Sequence, residues 1–169
     1  KVLLVGCDIR RPRLADVFNF SGSSQGLTSY LAASEDEVAM LDNFIIPSNV
    51  VDGLDLLPAG IVPPNPAELL SGSNLERAIE YLKKKYDYII LDAAPVGLVA
   101  DSLIVNRVAD TVVYVMRLNY THKADAEFIS SLIAEKKLDN VSIVVNGENM
   151  SGKTYGSRGS HRYSSYGYS

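Results

Sequence analysis

Two aspartates each stand directly behind a short apolar run. Asp8 lies in "VLLVGCDIRRP" and Asp92 in "DYIILDAAPVG". One acid in such a place serves most often as a turn or helix-cap residue. Two of them, each before a Pro-containing turn and the first with Arg10 and Arg11 behind it, point further. They would lie together at the ends of parallel strands, the edge where open α/β sheets bind ligands. Paired carboxylates there suit a hydrated Mg²⁺ on nucleotide phosphates, because that cation takes oxygen donors and keeps several waters.

A second candidate is "NGENMSGKTYG", residues 146–156, in which Gly147, Gly152, Lys153 and Thr154 match the G-x-x-x-x-G-K-T phosphate-loop spacing. That loop works because it opens a helix whose N–H groups and dipole hold the anion. After Thr154 the chain reads "YGSRGSHRYSSYGYS", with no apolar period of 3.6 and almost no aliphatic residues. No helix is expected there. The match reads as a coincidence of Gly, Lys and Thr in a flexible linker.

The elements that must position these residues follow from the apolar pattern. Short β-rich runs fall at 2–7, 54–57, 87–92, 111–116 and 141–146, with a weaker candidate at 43–46. They are continuous rather than alternating, as for strands buried on both faces of a parallel sheet. Helical stretches fall between them at 26–33, 65–71, 74–85, 100–108 and 122–137. In the third, Leu75, Ile79 and Leu82 share a face, with Ser73 or Asn74 as cap. In the last, Ala126, Ile129 and Ile133 form the stripe. The alternation predicts a doubly wound, mainly parallel α/β sheet with helices on both faces. "PAGIVPPNP", 58–66, carries four prolines in nine residues and reads as a rigid surface connection. Residues 1–149 read as the core and 150–169 as a disordered Tyr/Gly/Ser-rich tail.

Composition narrows the classes. The chain has 169 residues, 47% hydrophobic and 21% charged, enough for one domain with a substantial core. A net charge of −4 argues against general nucleic-acid binding. One cysteine, Cys7, excludes an intramolecular disulfide and reads as a small buried residue. His122 and His161 stand apart and make no metal site, and "KKK" at 83–85 reads as a solvated helix end. No apolar run approaches membrane-spanning length. The abrupt opening inside a strand suggests a piece of something longer.

"VLLVGCDIRRP" resembles the Walker A′ motif of the bacterial tyrosine kinases, three apolar residues followed by D-x-D-x-R. "IILDAAP" resembles their Walker B motif, and "LPAGIVPPNPAELL" the Pro-rich connection between the two. The similarity covers nearly the whole chain in the family's order. It implies a phosphate-loop ATPase type of fold and transfer of the γ-phosphoryl of ATP, with Mg²⁺, to tyrosine in control of capsular or exopolysaccharide export. It also implies site roles. Asp8 would match the second Walker A′ acid, handling Mg²⁺ and activating the tyrosine. Asp92 would hold Mg²⁺ through water, Arg10 would lie near the phosphates or a neighbouring subunit, and Arg117 would contact the nucleotide. The implied partners are further copies in a ring, a membrane-spanning polysaccharide co-polymerase segment and a tyrosine phosphatase, at the cytoplasmic side of the inner membrane. Two departures stand out. Gly6 replaces the first Walker A′ acid, leaving Asp8 to act alone as base. The family's phosphate loop, on the strand and helix before Walker A′, has no counterpart here, so the fold is expected to lack its first strand and helix and this chain alone to be inactive.

Four of ten tyrosines, Tyr155, Tyr163, Tyr166 and Tyr168, fall in the last fifteen residues. With the resemblance, they read as an autophosphorylation cluster modified in trans. Each phosphate adds roughly −1.5 to −2 charge, so four would outweigh the tail's few basic residues and release it from a neighbouring acid-lined site. A stacking tail is the plainer alternative. A ParA- or MinD-like ATPase, or a non-catalytic regulatory module that keeps the fold, are the other readings of the chain.

Overall fold

The computed structural model describes residues 1–19, 24–33 and 38–147. The elements, in order, are β1 (Val2–Gly6), α1 (Leu14–Val17), α2 (Leu27–Leu31), a 3-10 helix (Val38–Asn43), β2 (Ile46–Pro47), β3 (Leu54–Leu57), α3 (Pro66–Ser71), α4 (Ser73–Leu82), β4 (Tyr88–Asp92), α5 (Asp101–Asn106), β5 (Val112–Arg117), α6 (Lys123–Ala134) and β6 (Val141–Asn146). One sheet runs β2-β3-β1-β4 and a second pairs β5 with β6. All pairs are parallel except β2 with β3. The expected strands and helices are present with ends shifted by a few residues. The exception is 43–46, where the 3-10 turn displaces the strand to two residues running antiparallel along β3.

β1 is the centre of the larger sheet. Its Leu3 and Val5 are fully buried. They pack with Tyr30, Leu57, Leu70, Leu75, Ile79 and Leu82 in the main core. The α4 face Leu75/Ile79/Leu82 is therefore the one that α4's apolar spacing marks. Asn74, expected as a cap, is instead buried, and its Nδ2 donates to the carbonyls of Leu31 and Ala33. Inside a core an amide needs partners, and the open carbonyls at the end of α2 supply them.

The Pro-rich connection is not wholly superficial, which corrects the sequence expectation. Pro58 and Ala59 are buried, and their carbonyls accept the N–H groups of Leu27 and Thr28 at 2.9 Å each. This close docking excludes any side chain at Gly26, whose added Cβ would lie 2.3 Å from the Pro58 oxygen.

The smaller sheet has its own core of Ile129, Leu132 and Leu138 against Val112, Tyr114, Val141 and Leu103. Leu132, not Ile133, completes the α6 stripe, and Ile133 is exposed. Helix α5 belongs to both cores, with Val105 in the first and Leu103 against the second. The expectation that all strands are buried on both faces fails at β4, β5 and β6. Tyr88, Ile90, Val113, Val115, Ile143 and Val145 are exposed. The described helices cover only the opposite faces of β4 and β5, through Ile89 and Leu91, and Val112 and Tyr114. Among the described residues no helix is long and apolar enough to cross a membrane.

Candidate functional site: an acid pair at the strand ends

The parallel register of β1 and β4 sets Gly6 opposite Asp92, so the two expected acids leave neighbouring strands at the same edge. The chain leaving β1 folds over the end of β4. The N–H groups of Cys7 and Asp8 both donate to the Asp92 carbonyl, at 2.8 and 2.9 Å. Asp8 then closes its own turn, its Oδ1 accepting the N–H of Arg10 at 3.2 Å and of Arg11 at 3.0 Å. That leaves Asp8 Oδ2 and both Asp92 carboxylate oxygens without hydrogen-bond partners among the described residues.

The two carboxylates feel each other. The Asp92 carboxyl titrates above the ordinary aspartate range, first through desolvation and then through the charge of Asp8. Two oxygen-donor acids that repel each other fit a hard divalent cation, and Mg²⁺ characteristically binds one or two carboxylates and keeps waters and phosphate oxygens for the rest. No cluster of three His, Cys, Asp or Glu capable of holding a metal occurs among the described residues, so two acids would be the protein's share.

Cys7, between Gly6 and Asp8, is no nucleophile. Burial, with help from Asp92, pushes its thiol up to about 12. Gly6 has no side chain to offer where the motif has its first acid. A Cβ there would sit 3.0 Å from the Ala59 nitrogen, so a larger residue requires the Pro58–Ala59 segment to yield slightly.

Arg10 lies on the Asp8 turn, and its side chain is taken by Asp101. Its Nε and Nη2 donate to Asp101 Oδ2 and Oδ1 at 2.6 and 3.1 Å. Arg117 ends β5 in the other sheet, with its guanidinium 5.6 Å from the Tyr120 ring centre and its N–H on Thr121 Oγ1 at 2.8 Å. Asp101 escaped the sequence reading because an acid in a first helical turn is ordinary; only the fold shows it buried against Arg10. Its neighbour Ser102 donates through Oγ to the Ala94 carbonyl and so fixes the loop between Asp92 and α5. The 147–154 match cannot be followed: Gly147 ends the described chain after β6, and Gly152, Lys153 and Thr154 lie outside the described residues, as do Tyr155, His161, Tyr163, Tyr166 and Tyr168.

The mainly parallel α/β sheet with its helices has the phosphate-loop ATPase type of fold. Its backbone superposes with a TM-score of 0.64 on the septum site-determining protein MinD of Pyrococcus horikoshii in complex with Mg-ADP, at 20% identity, a likeness of fold alone. Closer likeness is to the kinase domain of the Escherichia coli tyrosine kinase ETK, with a TM-score of 0.78 and 29% identity over 94% of this chain and 60% of that one. In sequence it is 36% identical over 166 residues to the tyrosine-protein kinase CpsD of Streptococcus agalactiae, covering 95% of this chain and 68% of that protein. The chain belongs to the bacterial tyrosine-protein kinases. It spans about two thirds of the length of that relative. No family model matches it.

Proposed function

We propose that this chain is the acid-bearing part of an ATP-dependent tyrosine kinase acting in capsular or exopolysaccharide synthesis. The observation that carries the reading is the juxtaposition of Asp8 and Asp92 at adjoining strand ends, with three carboxylate oxygens unpartnered among the described residues. Asp92 and Asp8 would hold the Mg²⁺ of MgATP, Asp92 through water, and the metal would neutralise charge on the transferring phosphoryl group. Asp8 would take the phenolic proton as the tyrosine oxygen bonds to the γ-phosphorus and the bond to the β–γ bridging oxygen breaks, releasing ADP. Arg117 would meet the nucleotide from the end of β5. The tail tyrosines Tyr155, Tyr163, Tyr166 and Tyr168 are the proposed acceptors, used in trans within a homo-oligomer. That assembly would dock on a membrane-spanning polysaccharide co-polymerase segment at the cytoplasmic face of the inner membrane and be reset by a tyrosine phosphatase.

The phosphate loop would come from a segment outside residues 1–147. Support for this lies in the sheet: β4 and β5 each have a described partner on one side only, and a strand between them would join the two sheets.

Mixing two forms of the intact protein tests the reading. One carries Asp92→Asn with the tail intact; the other is otherwise unaltered but has all four tail tyrosines replaced by Phe. Phosphotyrosine on the Asp92→Asn chains, absent when that form is incubated alone, is the expected result. Undiminished phosphorylation by Asp92→Asn alone would overturn the assignment of the acid, equal phosphotyrosine on the form with the Phe tail would overturn the acceptor assignment, and no phosphate on either form would overturn the kinase reading.

A further inference from the structure

Arg10 carries a guanidinium on the same turn as Asp8. Its own N–H rests on Asp8 Oδ1, and the Asp8 charge reaches the guanidinium. A forked, permanently charged donor matches a carboxylate better than any other side chain does. Left free, it would have the unpartnered Asp8 Oδ2 within its neighbourhood, beside the metal-binding pair. A cation bound there competes directly with a metal.

The fold provides another anion for it. The Asp101 side chain is only 3% exposed and takes both forks of Arg10, whose own side chain is 40% exposed. A buried carboxylate that loses its partner is left uncompensated, so this pairing is held far more firmly than a surface contact. Asp101 is itself placed independently of Arg10, because the Ser102 hydroxyl ties the start of α5 back to Ala94. The loop after Asp92 thus supplies the group that restrains the arm of the loop after β1.

We propose that Asp101 is a positioning residue for the acid pair: it holds the Arg10 guanidinium off Asp8 and so keeps that acid free to share a divalent cation with Asp92. The inference rests on the reading that this pair binds such a cation. It differs from a simple loop clamp in one respect. If Arg10 is the competitor, removing Asp101 does harm only while Arg10 is present.

The test uses Mn²⁺ alone as the probe and the 169-residue chain as it stands, with unbound Mn²⁺ counted from its paramagnetic resonance signal. The parent should bind Mn²⁺, and Asp8→Asn or Asp92→Asn should weaken that binding. Asp101→Asn should weaken it by at least about threefold, and Arg10→Gln combined with Asp101→Asn should return it to within about twofold of the parent, since the competing fork is gone. Thermal melts check that each variant folds. Should Asp101→Asn lose its cooperative melt, Arg10→Gln decides: affinity equal to or tighter than the parent upholds the inference, and weaker affinity overturns it. No Asp8- and Asp92-dependent binding by the parent would sink the acid-pair reading and this inference together. Parent-like binding by Asp101→Asn, or a double variant as weak as the single one, would overturn this inference and leave the acid pair standing.

Discussion

At the scale of single residues the structure treats three aspartates unequally. Asp101 is buried and fully paired with Arg10. Asp8 is half used, with one oxygen spent on its turn. Asp92 has no hydrogen-bond partner among the described residues, and although the residue is exposed, partial desolvation followed by the Asp8 charge lifts its carboxyl above the ordinary range. Between the ordinary and the raised value the folded chain binds more protons than the unfolded one. The stability this group contributes is therefore full below the ordinary aspartate range and is lost as pH rises through the raised value. Asp92→Asn removes the loss. In metal-free buffer it should be more stable than the parent at neutral pH, by less than about 1 kcal/mol because solvent screens the pair. The gain should vanish below the ordinary aspartate range. Urea titrations across pH check this; a parent-like slope in Asp92→Asn would show that the strain lies elsewhere.

At the scale of elements the short helices are held by side chains that answer open backbone groups. Asn74 does this for the end of α2. Arg107, just past α5, does it for α3: its Nη2 donates to the carbonyls of Leu70 and Gly72 at 2.7 Å each, while Nη1 pairs with Glu76 at 3.0 Å. A six-residue helix cannot satisfy its own last carbonyls, so this fork is what seats α3 against α4 and α5. Arg107→Met should cost about 1–3 kcal/mol by urea unfolding. Arg107→Lys should recover less than half, because one ammonium cannot reproduce the planar fork. Full recovery by Lys would show that charge, and not the fork, is what α3 requires.

At the scale of the whole molecule the chain is two sheets sharing one helix. β1 pairs on both sides and lies in the main core, whereas β5 and β6 rest on a small cluster and leave one face to solvent. Local opening follows local packing. Amide exchange in β1 should be slower than in β5 and β6 by at least about tenfold. Equal protection would mean that α5 couples the sheets into one cooperative unit. Exposed Val113 and Val115 beside an edge strand also make this part of the molecule the one most open to pairing with another strand.

Much of this was legible in the residues themselves. The runs around Leu3, Ile89 and Val113 mark the strands because four or five consecutive apolar residues between turn formers leave few other structures open. Asp8 and Asp92 stand out because each follows such a run, and chain order alone then sets both at the same sheet edge. The spacing Leu75/Ile79/Leu82 likewise marks the buried face of α4. Other features needed contacts between residues far apart in sequence. Asn74 reads as a cap until the carbonyls of Leu31 and Ala33 are seen above it, and Pro58 reads as surface until Leu27 docks on it. Asp101 reads as an ordinary helix-start acid until Arg10, 91 positions away, reaches it. Periodicity reports which face of an element is apolar, but the partner of a buried polar group is chosen only when distant backbone and side chains close around it.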